Sequence, residues 1–297
     1  MPLNDCIYEF LQHLSSQKRY SPNTIKSYQN DLTDFRDFIE QQYPDAGLPD
    51  IRLPLMKSWL ASLKARNMES RSINRKMSAI RSFYKFLLRM NYVNSDPALS
   101  LTTLRTKKSL PSFVEERQMQ RLQERSFFPK EFKGDTWYLI ILLLYVTGLR
   151  VSELTGLRES DIDLAGANIK VLGKGNKERI VPVKKEILTL LEDYLSVVKK
   201  ETGIVNPHLF TGKNGKPLSP ASVYKIVKTT LSEVTTIRKK SPHVLRHTFA
   251  THLSNHGAAI NAIKELLGHS SLAATQVYTH TSISRLKEIY KQAHPKS

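Results

Sequence analysis

Through the first hundred residues, apolar side chains recur every three or four positions, the period of helices that bury one face. One helix is predicted over 5–17. Ser21-Pro22 then offers an N-cap and a proline at the first helical position, and Ile25, Tyr28, Leu32, Phe35 and Phe38 follow at helical spacing. A loop rich in Pro and Gly (43–53) leads to a short helix opened by Pro54 and running to Leu63. Ser70 is the expected cap of a fourth helix, with Ile73, Met77, Ile80, Phe83, Phe86 and Leu87 as its inner stripe. From 94 to 112 the period is lost. Asp96-Pro97 and then TTLRTKKSLPS are polar and basic, which predicts a linker.

Beyond it the pattern is mixed. Helices are expected near 115–125 and 135–146, and a polar turn at 159–163. NIKVLG and KERIVPV flank the turn residues KGN and read as a hairpin. Helices follow at 185–200, at 219–233, at 242–255 closed by Gly257, and at 259–267 closed by Gly268, with further ones at 272–278 and 283–293. The fold class is therefore mainly α with a small β-sheet. The expected organisation is a helical domain over 1–100, a linker over 101–112 and a mostly helical α+β domain over 113–297. A chain of 297 residues is long enough for both to bury a core.

Charge narrows the function. Lys and Arg number 45 against 27 Asp and Glu, a net charge of +18 that favours polyanions, nucleic acid before acidic membranes. The fourth helix and its approach carry eight basic residues between Lys64 and Arg89 and one acid, Glu69. A surface helix normally mixes signs, whereas a one-sign face suits a phosphate backbone. Arg71, Arg75, Lys76, Arg81 and Lys85 are thus candidate DNA contacts, against the plainer reading of a solvated face. Cys6 is alone, so neither a disulfide framework nor a Cys-based zinc site is expected, which fits a reducing cytosol. The N-terminal stretch has acids and no long apolar run, unlike a signal peptide. WYLIILLLYVTGL (137–149) is shorter than the roughly 18 residues of a spanning helix and reads as a core helix. A soluble, cytoplasmic protein without a membrane partner is expected.

The candidate chemistry centres on SPHVLRHTFATHL (241–253). His243/His247 and His252/His256 have the i,i+4 spacing of a zinc chelate, but the pairs face different ways and no acid lies between Ser241 and Lys264 to join them. Leu245, Phe249 and Leu253 are a core stripe. Arg246 and His243 sit beside it, and a buried arginine needs an anion that this helix does not supply. Arg150 follows the most apolar helix across Gly148, with Glu153 three residues on. The two are a plain ion pair, or Arg150 is half of a clamp on a phosphate. Lys174 occupies the hairpin tip, where a lysine is commonly just solvated. His269 follows Gly268, and Tyr278 lies on the next helix, where a tyrosine is more often core than nucleophile.

Taken together, TGLRVSEL, GKGNKER, HVLRHTFATHL, LLGHSSLAATQVYTH and LKEIYKQAHPKS resemble the tyrosine recombinase (phage integrase) family, and within it the bacterial Xer-type recombinases. RYSPNTIKSYQNDLTDF and SINRKMSAIRSFYKFL resemble that family's SAM-like, helical core-binding domain, so the likeness spans nearly the whole chain. It implies that Arg150 and Arg246 clamp the scissile phosphate. His269, where some relatives have tryptophan, would bond a phosphate oxygen. Lys174 would protonate the departing 5′ oxygen, and His243 would help accept the proton of Tyr278 as it attacks. Glu153 matches a supporting acid of the motif. His247, His252 and His256 have no role in it.

The resemblance also implies a reaction through a 3′-phosphotyrosine and a Holliday junction, with no metal, no cofactor and no ATP. The partners implied are double-stranded DNA at a defined site, a homo- or hetero-tetramer with a second Xer-type recombinase, and a DNA translocase of the division septum. The expected role is resolution of chromosome dimers. The alternatives are the integrase of a mobile element, against which the short N-terminus argues, a type IB topoisomerase, and a DNA-binding protein without catalysis.

Overall fold

The computed structural model describes residues 2–106, 112–173, 177–202, 208–212 and 216–268. The chain divides into two compact units, Met1–Ser109 and Leu110–Ser297. Lys174, His269, Tyr278 and the helices expected at 272–278 and 283–293 lie outside the described residues.

The first unit consists of α1 (Leu3–Ser16), α2 (Pro22–Gln42), α3 (Leu53–Ala65) and α4 (Ser70–Arg89). Ser21 caps α2 by accepting from the Thr24 N–H, with Pro22 at the first helical position, as its local chemistry requires. α4 starts one residue earlier than expected. Glu69 is its N-cap and Ser70 its first residue, with no side-chain cap bond. The stripe expected on α4 is buried throughout, against Phe10, Leu32, Phe35 and Trp59 from the other helices.

The segment from 94 is not free of the unit that precedes it. Pro97–Ser100 form a short 3-10 turn, Ala98 and Leu101 are buried, and the Asn74 side chain exchanges two 2.8 Å hydrogen bonds with the Leu104 backbone. Arg81 reaches from α4 to the carbonyls of Ala98 and Leu101. The missing period concealed this docking, because side chains on α4 hold the segment through its backbone.

The second unit contains α5 (Glu116–Arg121), α6 (Phe132–Thr147), α7 (Val151–Gly156), β1 (Ile162–Asp163), β2 (Asn168–Leu172), β3 (Glu178–Pro182), α8 (Lys185–Thr202), α9 (Pro220–Val234), α10 (Pro242–Asn255) and α11 (Ile260–Leu266). α6 is buried on every side from Tyr138 to Thr147, at about 1.5–3 kcal/mol for each fully buried large apolar side chain. The expected hairpin is part of a three-stranded antiparallel sheet in the order β1-β2-β3. Its third strand is the two-residue β1, too short for an alternating pattern to announce. Val171 pairs with Arg179 across β2 and β3, with Ile169 opposite Val181.

Candidate active site

The site is built where α6 ends. Gly148 terminates the helix in the left-handed conformation (φ 61°), and Leu149 is buried. Arg150 is the N-cap of α7, its backbone N–H donating to Glu153 Oε2 at 2.8 Å. An added Cβ on Gly148 would lie 2.6 Å from Phe249 of α10 and 2.8 Å from Leu267. Only glycine therefore permits both the turn and the approach of α10.

Glu153 is the centre of a cationic cluster. Arg150 donates to Oε1 through Nη1 at 2.8 Å. Arg179, from β3, grips both carboxylate oxygens at 2.8 and 2.9 Å. Arg246, from α10, brings Nη1 to 3.9 Å of Oε2. The Glu153 side chain is 3 % exposed and that of Arg179 5 %. Burial alone would raise the Glu153 carboxyl, but hydrogen bonds and charge from Arg179, together with Arg150, outweigh it and hold the group at about 2. Three guanidiniums facing one carboxylate leave a formal excess of positive charge. The Arg246 guanidinium feels it: burial first, then the charge of Arg150, lowers it to about 10.

Arg246 is held from three directions. Nη1 donates to the Gly148 carbonyl at 2.6 Å and Nη2 to the Leu267 carbonyl at 2.5 Å, in addition to Glu153. The negative partners that its helix lacks thus come from two backbone carbonyls and a distant carboxylate. Arg150 is less enclosed, its side chain 30 % exposed, and its Nε and Nη2 have no hydrogen-bond partner among the described residues. A buried, anchored arginine beside a partly exposed one presents two guanidiniums of the kind that can share an external anion.

Arg179 escaped sequence reasoning. The signal was a charged residue at a core-facing position of a strand, opposite Val171 and two residues before the buried Val181. The histidines of α10 separate. His243 is exposed and His247 half-buried. His252 is buried with Nδ1 2.9 Å from the Tyr145 hydroxyl, and His256 lies 3.7 Å from Glu116.

On α4 the five expected DNA contacts also separate. Lys76 is buried: its side chain is 8 % exposed, and its amine lies 3.3 Å from Asp31 and 3.0 Å from Asp34 of α2. Arg75 pairs with Asp31 and donates to Ser27, and Arg81 is committed to backbone carbonyls. The acids missing from α4 are supplied by α2, which a one-helix view of charge could not include. Arg71 and Lys85 are exposed and have no ion-pair partner among the described residues.

The fold and cluster define a mainly helical protein that gathers three guanidiniums around one buried carboxylate at the junction of α6, α7, α10, α11 and β3. The phage integrase family model matches residues 112–285, and the model for the phage integrase N-terminal SAM-like domain matches 7–91. The chain is 40 % identical to tyrosine recombinase XerC of Pelobacter propionicus, covering all of this chain and 97 % of that protein. It is 34 % identical to tyrosine recombinase XerD of Staphylococcus saprophyticus, over 99 % of this chain and all of that one. Among solved structures, the XerH site-specific recombinase bound to palindromic difH substrate shares the fold, with a TM-score of 0.71 at 21 % identity over 95 % of this chain and 83 % of that one. The chain belongs to the phage integrase family, and it is a tyrosine recombinase, a site-specific enzyme that breaks and rejoins DNA strands.

Proposed function

We propose that this recombinase acts in the Xer manner, cutting DNA through Tyr278 with the phosphate held between Arg150 and Arg246. The observation that carries the reading is the meeting of those two guanidiniums at Glu153, one fixed by backbone carbonyls and the other with donors unused among the described residues. A phosphodiester is already an anion. Two cations neutralise it and stabilise the extra charge of the pentacoordinate state, at about 3–4 kcal/mol for each donor removed.

In the reaction, the Tyr278 oxygen forms a bond to phosphorus as its proton passes toward His243, which is exposed at the first turn of α10. The bond to the 5′ oxygen breaks, and Lys174 supplies the proton that oxygen takes up. A tyrosine hydroxyl of pKa about 10 and an alkoxide leaving group both need such partners. His269 bonds a phosphate oxygen. The 3′-phosphotyrosine conserves the bond energy, so a second strand's 5′ hydroxyl can reverse the step without ATP or metal.

The further assignments rest on likeness to the XerC and XerD relatives. Residues 1–100 form the core-binding domain, 101–112 the linker and 113–297 the catalytic domain. Subunits act as a tetramer with a second Xer-type recombinase, through a Holliday junction, in the cytoplasm. The role is resolution of chromosome dimers under a septal DNA translocase.

The test is covalent trapping on a nicked duplex built on the genomic fragment the protein binds most tightly. Wild type forms an adduct and Tyr278→Phe forms none while binding equally well. An adduct that persists in Tyr278→Phe assigns the nucleophile elsewhere. Normal binding without an adduct in wild type removes the catalytic reading.

A further inference from the structure

Arg179 lies outside every role assigned so far, yet it is among the most constrained cations of the described residues. It spends all three of its nitrogens inside the protein: Nη1 and Nη2 on the Glu153 carboxylate, and Nε on the Leu266 carbonyl at 3.2 Å. Leu266 and Leu267 are the last residues of α11 and its cap, and the Leu267 carbonyl accepts from Arg246. Gly268 follows at φ 64°, packed so closely on Arg179 that an added Cβ would lie 3.1 Å from its Cδ. The chain then continues to His269 and Tyr278. On the other side, β3 is the strand that leaves the turn carrying Lys174.

The geometry points to Arg179 as a positioning residue for strand cleavage: it holds Glu153 in register between Arg150 and Arg246, and ties the Lys174 hairpin to the end of α11 from which the tyrosine segment departs. The inference rests on the proposal that Arg150 and Arg246 hold the scissile phosphate.

Glu153 alone would satisfy Arg150 and Arg246 and compete with a phosphate for both. A bidentate partner occupies both carboxylate oxygens and leaves the Arg150 side chain a single bond to Oε1, its other nitrogens unbonded among the described residues and the side chain 30 % exposed. Moreover, a planar fork with a third N–H can bond a carboxylate and a carbonyl in one plane, which an ammonium cannot do with fixed direction. Arg179→Lys therefore keeps the charge and loses the register.

The experiment measures, on the same nicked duplex and with the full chain, the single-turnover rate of adduct formation and the DNA dissociation constant separately. Arg179→Lys and Arg179→Met are compared with Glu153→Gln, with the double variant Arg179→Met/Glu153→Gln and with Lys170→Ala. Lys170 pairs with Glu178 on the exposed side of the same hairpin and is the control. We expect both Arg179 variants to slow cleavage by about tenfold or more while affinity stays within about twofold, since misplacement and not binding is at fault. The double variant should be little slower than Glu153→Gln alone, because one residue acts through the other.

Cleavage at wild-type rate in Arg179→Lys, or fully additive losses in the double variant, would overturn the proposal. Loss of folding in both variants, seen as melting below the assay temperature, would place Arg179 in the packing and overturn it as well. If wild type itself forms no adduct, the phosphate-clamp reading fails and takes this one with it. A normal wild-type adduct beside a wild-type-like Arg179→Lys sinks this inference alone.

Discussion

Arg246 donates to the carbonyl of Gly148, 98 residues earlier in the chain, at 2.6 Å. The glycine that stops the buried helix α6 thus also anchors one guanidinium of the Glu153 cluster. Its φ of 61° and the 2.6 Å clash with Phe249 that any Cβ would make leave no room for another residue. Gly148→Ala should cost at least about 2 kcal/mol through backbone strain and overpacking. It should also slow adduct formation in protein that remains folded. Urea melts and the trapping assay check both. A variant with native stability would show that α10 yields more readily than its packing suggests.

Acid should destabilise the second unit through Glu153. Its carboxyl lies at about 2 in the folded protein against an ordinary value of 4.5. A depressed folded pKa contributes stability that is full above the unfolded value and is lost as pH falls toward the folded one. The window is therefore pH 4.5 down to about 2. At 3 % side-chain exposure, the contribution is about 3 kcal/mol. Glu153→Gln should be less stable at neutral pH, with Arg179 and Arg246 left undercompensated, and should lose that part of the acid slope. Urea midpoints at neutral and acid pH measure it, and equal slopes in the two proteins would refute the assignment.

The basic residues of α4 should divide by role. Removing Arg71 or Lys85, both exposed, should weaken DNA binding and lower the slope of log affinity against log salt by about one each. Lys76→Met should leave that slope unchanged and reduce stability, because Asp31, 2 % exposed at its side chain, loses a partner. A salt titration of affinity separates the two. If Lys76→Met lowered the slope as Arg71→Ala does, the buried pair would have to open on DNA.

Cleavage and rejoining should proceed at full rate in excess EDTA, because in the proposed reaction arginines supply the charge stabilisation and side chains move the protons. Adduct yield with and without chelator is the measurement. Strict dependence on divalent ions would reopen the zinc spacing of the α10 histidines.

Much of this protein could be read from the one-dimensional string. The Ser21 cap, the buried stripe of α4, the core helix before Gly148 and the glycines that end α10 and α11 depend on neighbours within a few positions. A helical period or a turn residue records those neighbours directly. Arg246 was legible for the same reason, as a charge placed beside a stripe already expected to be buried.

Partnership was not legible. Glu153 meets Arg179 across 26 positions, Lys76 lies beneath the acids of another helix, and Asn74 captures Leu104 thirty residues on. The same letters could have faced solvent. Local pattern states that a side chain goes inward, while the identity of the group it meets depends on how separate elements pack. In this chain packing turned one row of basic residues into both internal clamps and exposed cations, and gathered three guanidiniums around a single carboxylate.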